Sequence, residues 1–287
     1  MNKLITRDKN KDTIDLTLFK HFSFKNILYI IIMKTSFVLF CLGGMTLYQL
    51  RRQPQNPKSE KIDGVIFGET GVNFAYQLGI IKYMQQTFRL SDYKFCGISG
   101  GCNCAFILSN KIDVDHFFDQ FVIQTFNYKN QNKYTSMFDI CKITIYKLYK
   151  SKCDLQHMNE KMYVSMTKVF PYLHNHTVSK FTDYNDLFNS IKSSQYIPFL
   201  FGSPYTIYHN QVHIDGFLSS FFQYKPTNEN WVAIKLWDFR VYYFLTNIIN
   251  FGSLFDENYH KSCYTCGYED AKQKHDYFLK LGFEVLP

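Results

Sequence analysis

A short apolar run that closes on Gly97-Ile98-Ser99-Gly100-Gly101, followed by the small and then apolar stretch Cys102 to Leu108, constrains this chain more than any other feature. Glycines flanking a serine tolerate the strained backbone of a sharp strand-to-helix turn, which pushes the hydroxyl out of the packed sheet. A helix starting there aims its first amides at any nearby anion. That suits a nucleophile that forms an oxyanion. Gly and Ser also crowd ordinary turns, so the motif alone leaves a structural and a catalytic reading open.

The surroundings narrow the choice. Residues 62–67 read as a buried strand, broken by Gly68-Glu69-Thr70-Gly71. Phe74, Leu78, Ile81, Met84 and Phe88 then fall at helical spacing, and Gly79 inside that helix points to close packing against a neighbour. Strand, glycine loop, helix, strand, serine turn and helix in this order imply an α/β fold, with a mostly parallel sheet covered by helices. Farther along, 113–151 reads as mostly helical and irregular, and 161–169 as a strand. Residues 184–193 read as a short helix with Asp183 at its N-cap. A strand over 206–214 leads into Asp215-Gly216, 231–237 is another strand, and 259–281 is a terminal helix broken at Gly267.

The chain has 287 residues and a net charge of +8, which favours anionic partners. Its lysines are scattered and no nucleic-acid motif accompanies them, so an anionic membrane surface fits better than nucleic acid. The 8 cysteines are spread through apolar runs rather than set in a disulfide pattern. Cys263-x-x-Cys266 is half of a zinc site with no second pair, so no metal is expected.

Residues 27–50 form an apolar run interrupted by Lys34. Such a run is long enough to cross a bilayer, which takes about 20 residues, and Lys34 is near enough to its first end to snorkel. It reads as a transmembrane segment after an N-terminal tail, 1–26, and before a linker, 51–60, that contains Pro54 and Pro57. Arg51, Arg52, Lys58 and Lys61 outnumber Lys20 and Lys25, so positive-inside counting gives a single-pass protein with residues 61–287 in the cytosol. A signal peptide starting at Met33 and a buried core helix are the other readings of this run.

The strand with its glycine loop, the Gly-x-Ser-x-Gly turn and the later Asp-Gly resemble, in that order, the patatin-like phospholipases. Lys161 to Thr167 is similar to that family's strand ending in Thr, Asp186-Leu187 with 191–198 to its helix and Ile-Pro step, and Gly267-Tyr268-Glu269-Asp270-Ala271 to its late helix start. The resemblance spans about Lys61 to Leu281. It implies a three-layer α/β/α domain and a Ser-Asp dyad needing no cofactor, with phospholipid or neutral lipid as substrate. Ser99 would be the nucleophile, held in an elbow by Gly97 and Gly101. Asp215, followed by Gly216, would take the Ser99 proton and later activate water. Thr70, Gly71 and Val72 fall on the family's oxyanion loop.

That loop departs from the family pattern. Aligned on Gly79, only Gly71 remains of three leading glycines, Asn73 replaces a basic residue, and Glu69 brings a carboxylate toward the place where negative charge develops. A slide of one residue would bring Gly68 into play. Two rival functions follow: a catalytically silent patatin-like protein that binds lipid or a protein partner, and a Ser-Asp-His hydrolase using His260 or His275. His213 alternates with Asp215 along one strand face and reads as lining the site or as packed. Phe199, Leu200 and Phe201 read as core or as an acyl groove, and Asn175-His176-Thr177 is a glycosylation sequon. Ile140, Ile143, Lys147 and Lys150 read as a surface helix or a basic face touching a membrane. The oligomeric state is left open.

Overall fold

The computed structural model describes residues 61–130, 153–198, 203–218, 225–240 and 256–287. They build a mixed α/β domain around a seven-stranded sheet ordered β5-β6-β3-β2-β1-β7, with β4 added to β3. The strands are β1 (Gly64–Phe67), β2 (Lys94–Ile98), β3 (Met162–Lys168), β4 (His174–Val178), β5 (Thr206–Tyr208), β6 (Gln211–Ile214) and β7 (Trp231–Ile234). β7, β1, β2 and β3 run parallel, as expected from the alternation of elements. β1 is buried on both faces, which explains its unbroken apolar sequence. On one face Ile66, Cys96, Ile98, Trp231 and Ala233 pack into a single cluster.

The strand pairing brings the candidate residues together. β3 has two edges, and β4 occupies one of them, antiparallel from Val164 to Lys168. β2 and β6 divide the other. β2 lies parallel against residues Met162 to Ser165, and β6 antiparallel against Thr167 and Lys168. The two strands point at each other, Ile98 toward Ile214, and the residues that follow them, Ser99 and Asp215, meet.

The helices are α1 (Phe74–Thr87), α2 (Gly101–Ser109), α3 (Val114–Asn130), α4 (Leu155–Lys161), α5 (Tyr184–Ser194), α6 (Leu236–Phe239), α7 (Glu257–Gln273) and α8 (His275–Leu281). A 3-10 turn, Gly71–Asn73, precedes α1. α1 and α7 touch through reciprocal glycines. A Cβ on Gly79 would stand 2.0 Å from the Tyr264 carbonyl oxygen, and one on Gly267 would stand 1.9 Å from that of Tyr76. The Tyr76 hydroxyl donates to Asp270 at 2.6 Å, and Arg240 donates to the same carboxylate at 2.9 Å. Asp183 caps α5 as expected, its side chain accepting from the Asp186 amide at 2.8 Å.

Several expectations are corrected. Gly267 does not break α7; it is the close-approach residue, and the terminal helical stretch divides at Lys274 instead. Residues 206–214 form a hairpin rather than one strand, because His209 and Asn210 both take left-handed backbone, with φ 47° and 58°. The expected strand over 231–237 ends at Ile234 and gives way to α6. The sequon Asn175-His176-Thr177 lies on β4, a strand not anticipated, where Asn175 donates to the Ser165 hydroxyl at 2.5 Å.

The expectation of a single-pass membrane protein is corrected as well. Among the described residues no helix is long and apolar enough to cross a bilayer. The run 27–50, on which that expectation was placed, lies outside the described residues, as do the tail 1–26, the linker 51–60, the segment from Ile140 to Lys150 and Phe199 to Phe201.

Candidate active site

Ser99 directly follows the parallel strand β2 and is separated from α2 by a single glycine, and its φ of 52° is left-handed backbone in a residue with a side chain. Such a conformation costs on the order of 1–3 kcal/mol and persists where the surroundings over-determine it. Here they do. A Cβ on Gly97 would stand 2.3 Å from the Cys102 Cα, and one on Gly101 would stand 2.3 Å from the Phe67 carbonyl oxygen. The glycines therefore allow the first turn of α2 to sit directly on the ends of β1 and β2.

The Ser99 hydroxyl donates to Asp215 Oδ2 at 2.8 Å. Asp215 is fixed by its own backbone: its amide donates to the Tyr196 carbonyl at 2.8 Å, and its carbonyl accepts from the Thr167 hydroxyl at 2.7 Å. Its second carboxyl oxygen accepts from the Phe217 amide at 2.9 Å. Gly216 is needed for close approach, since a Cβ there would stand 2.4 Å from the Ser165 carbonyl oxygen. Burial pushes the Asp215 carboxyl up to about 7; the Phe217 amide and the Ser99 hydroxyl oppose the rise, and the charge of Glu69 adds to it.

The expected oxyanion loop arches over the serine turn. Gly71 has φ 50°, and Val72 and Asn73 of the 3-10 turn are buried. A Cβ on Gly100 would stand 1.9 Å from the Thr70 hydroxyl oxygen and 3.6 Å from the Gly71 amide nitrogen. The start of the 3-10 turn thus faces the start of α2, and the first amides of both have no acceptor within their own helices. Gln77, fully buried in α1, bonds the Gly68 and Ile234 carbonyls at 3.5 and 3.4 Å and ties the loop to the sheet.

Glu69 is buried in this loop, and among the described residues its Oε2 has no hydrogen-bond partner. Burial raises its pKa, and the charge of the buried Lys235 opposes the rise.

A residue not singled out in the sequence completes the arrangement. Ser194, at the last position of α5 and fully buried, accepts from the Ser99 amide at 2.9 Å and donates to the Ser165 carbonyl at 2.5 Å. Its own carbonyl accepts from the Gly216 amide at 2.9 Å. One serine therefore joins the serine turn, β3 and the Asp-Gly loop. No local pattern marks it.

The histidines are engaged elsewhere. His275 shares a 2.7 Å hydrogen bond with the Tyr83 hydroxyl and stacks on Phe88, while His260 packs between the rings of Phe74 and Phe121. His213 bonds the Gln211 carbonyl and His176 at 3.0 and 2.8 Å, and burial holds its pKa down at about 4. It is a fully buried residue of the hairpin strand β6 and is bonded to neither Ser99 nor Asp215. Cys102, next to the turn, is buried, and its thiol is pushed up to about 12. Among the described residues no group of three or more His, Cys, Asp or Glu side chains is placed to hold a metal ion.

Comparison with known proteins gives no match, either to a protein-family model or to a curated protein.

Proposed function

We propose that the chain is a patatin-like lipid acyl hydrolase, with the three-layer α/β/α arrangement of that family, working through a Ser99-Asp215 dyad. The observation that carries this reading is the 2.8 Å bond from the Ser99 hydroxyl to Asp215, made by a serine at φ 52° on a strand-to-helix turn. The partner carboxyl titrates near 7, which suits a general base that must also return its proton.

The chemistry follows from these positions. Ser99 Oγ attacks the ester carbonyl carbon while Asp215 accepts its proton. The carbonyl oxygen becomes an oxyanion facing the amides of Gly71 and Gly100. As the tetrahedral intermediate collapses, Asp215 returns the proton to the leaving alcohol, and the acyl group stays on Ser99. Asp215 then takes a proton from water, whose hydroxide attacks the acyl-enzyme, and the released Ser99 oxygen recovers the proton. Fatty acid leaves. A phospholipid, lysophospholipid or acylglycerol ester would satisfy this scheme.

The buried Glu69 supports a second reading, a silent protein of the same fold that binds lipid or a partner. A carboxylate in the loop opposes the charge that must develop, and losing one oxyanion donor typically costs about 10²–10³ in rate. Fluorophosphonate labelling of the purified full chain separates the two. Labelling of the wild type that vanishes in Ser99→Ala and Asp215→Asn is the hydrolase result. Folded wild type that stays unlabelled at any pH belongs to the silent reading.

A further inference from the structure

Thr70 is the N-cap residue of the 3-10 turn, where a threonine hydroxyl ordinarily accepts from an amide of the turn it precedes. Here the side chain makes no capping bond, although the Thr70 carbonyl accepts from the Asn73 amide at 2.9 Å. Thr70 is fully buried, and among the described residues its hydroxyl oxygen has no hydrogen-bond partner. Two other buried oxygens in the same state, Glu69 Oε2 and Asn103 Oδ1, belong to this loop and to the first turn of α2. A buried polar atom left unbonded is costly and rare in protein interiors. Three of them on the segments that adjoin the serine turn point to a ligand that completes the bonding.

The position of the hydroxyl says which atom it would serve. The Thr70 oxygen stands 1.9 Å from the point where a Cβ on Gly100 would lie, and the Gly71 amide nitrogen stands 3.6 Å from the same point. Covalent geometry keeps the Gly100 amide nitrogen roughly 2.5 Å from it. The hydroxyl therefore shares one spot, beside the residue after Ser99, with the two amides assigned above to the oxyanion. The rotamer turns oxygen rather than methyl toward Gly100, the next side-chain atom being Thr70 Cβ at 3.2 Å. Packing would be served as well by the methyl. The loop is also held in place: Gln77 bonds the Gly68 carbonyl, and the Tyr259 hydroxyl donates to the Asn73 side chain. A donor fixed in this way needs no rearrangement when charge develops beside it.

We propose that the Thr70 side-chain hydroxyl is a catalytic hydrogen-bond donor to the oxyanion, a third beside the Gly71 and Gly100 amides. The inference rests on the hydrolase reading and adds a side chain to a hole otherwise built of backbone. Unbonded in the resting protein, the hydroxyl gains its partner as the ester carbonyl oxygen acquires charge, so its contribution falls on the transition state.

The test compares fluorophosphonate labelling rates of the purified full chain as wild type, Thr70→Val, Thr70→Ser and Thr70→Ala. Wild type and Thr70→Val differ by a hydroxyl against a methyl of similar size, and Thr70→Ser and Thr70→Ala by the hydroxyl alone. The donor role predicts rates that sort by the hydroxyl. Thr70→Ser should stay within about fivefold of wild type, while Thr70→Val and Thr70→Ala should each lose about 10². The pH midpoint of labelling should not move, since Asp215 keeps its contacts. The Tm of Thr70→Val should be no lower than that of wild type, because an unbonded buried hydroxyl has been removed. If Thr70→Val fails to fold, the Thr70→Ser and Thr70→Ala pair decides alone. Rates that sort by size instead, or four equal rates, would leave Thr70 packed on Gly100 and overturn the donor while keeping the hydrolase. A folded wild type unlabelled at any pH would remove the hydrolase reading and the donor with it.

Discussion

The Ser99 amide donates to the Ser194 hydroxyl oxygen at 2.9 Å, and the Ser194 hydroxyl in turn donates to the Ser165 carbonyl on β3 at 2.5 Å. The amide of a residue in left-handed backbone is thus satisfied by a side chain from the far end of α5. Ser194→Ala would leave that buried amide and the Ser165 carbonyl without this partner, a loss of roughly 1–3 kcal/mol of stability. Because the orphaned group belongs to the nucleophile's own residue, the fluorophosphonate labelling rate should also fall by more than about tenfold. The pH midpoint of labelling should stay in place, since Asp215 keeps its contacts. A variant that is destabilised but labels at the wild-type rate would reduce Ser194 to a packing role.

Asp215 should govern the pH dependence of both reactivity and stability. Only its ionised form can accept the Ser99 proton, so labelling should rise with pH, with a midpoint near 7, and level off above it. The stability effect runs the other way. The folded carboxyl titrates at about 7 and the unfolded one near 3.8, so the folded state holds the proton more tightly. Its contribution is complete below the unfolded value and is lost as pH rises through the folded one. At about 1.4 kcal/mol per unit, the loss reaches up to about 4 kcal/mol by pH 8. Asp215→Asn should therefore abolish labelling, raise the Tm at pH 8 and leave it little changed at pH 4. Thermal melts at the two pH values check this directly.

Glu69 separates two effects that a single rate would confuse. Its charge raises the Asp215 pKa, so Glu69→Gln should move the labelling midpoint to lower pH and quicken labelling at pH 6. If the carboxylate also opposes the oxyanion, the plateau rate at pH 9 should climb as well. A shifted midpoint with an unchanged plateau would confine Glu69 to tuning the base. An unmoved profile would show that Glu69 stays neutral over this range, as its burial favours.

The parts legible in the sequence were those with local causes. The serine turn shows in its glycines, the α5 start in Asp183, and α1 in the helical spacing from Phe74. The parts not legible depend on partners far along the chain. β4 reads His174-Asn175-His176-Thr177-Val178, half-buried throughout and without apolar alternation, so only its pairing with β3 makes it a strand. The hairpin at His209-Asn210 lacks the glycine that usually marks such a turn. Ser194 looks like any polar residue closing a helix, and its role exists only once α5 is packed against β3.

Gly267 shows how far a local rule can mislead, and it yields the strictest stability test. A glycine within a helix costs about 1 kcal/mol relative to Ala, so Gly79→Ala and Gly267→Ala should stabilise their helices if propensity decided the matter. Packing decides instead. The new methyl on Gly267 would stand 1.9 Å from the Tyr76 carbonyl oxygen, and that on Gly79 would stand 2.0 Å from that of Tyr264. Both obstacles are helix backbone, which yields only by pushing α1 and α7 apart. Each substitution should then cost about 3 kcal/mol or more despite the propensity gain. The double variant should cost less than the sum of the two, because once the helices have separated the second methyl meets a contact already opened. Denaturant unfolding of the two single variants and the double tests both statements. A neutral or stabilising Gly267→Ala would mean that α1 and α7 do not touch at these residues.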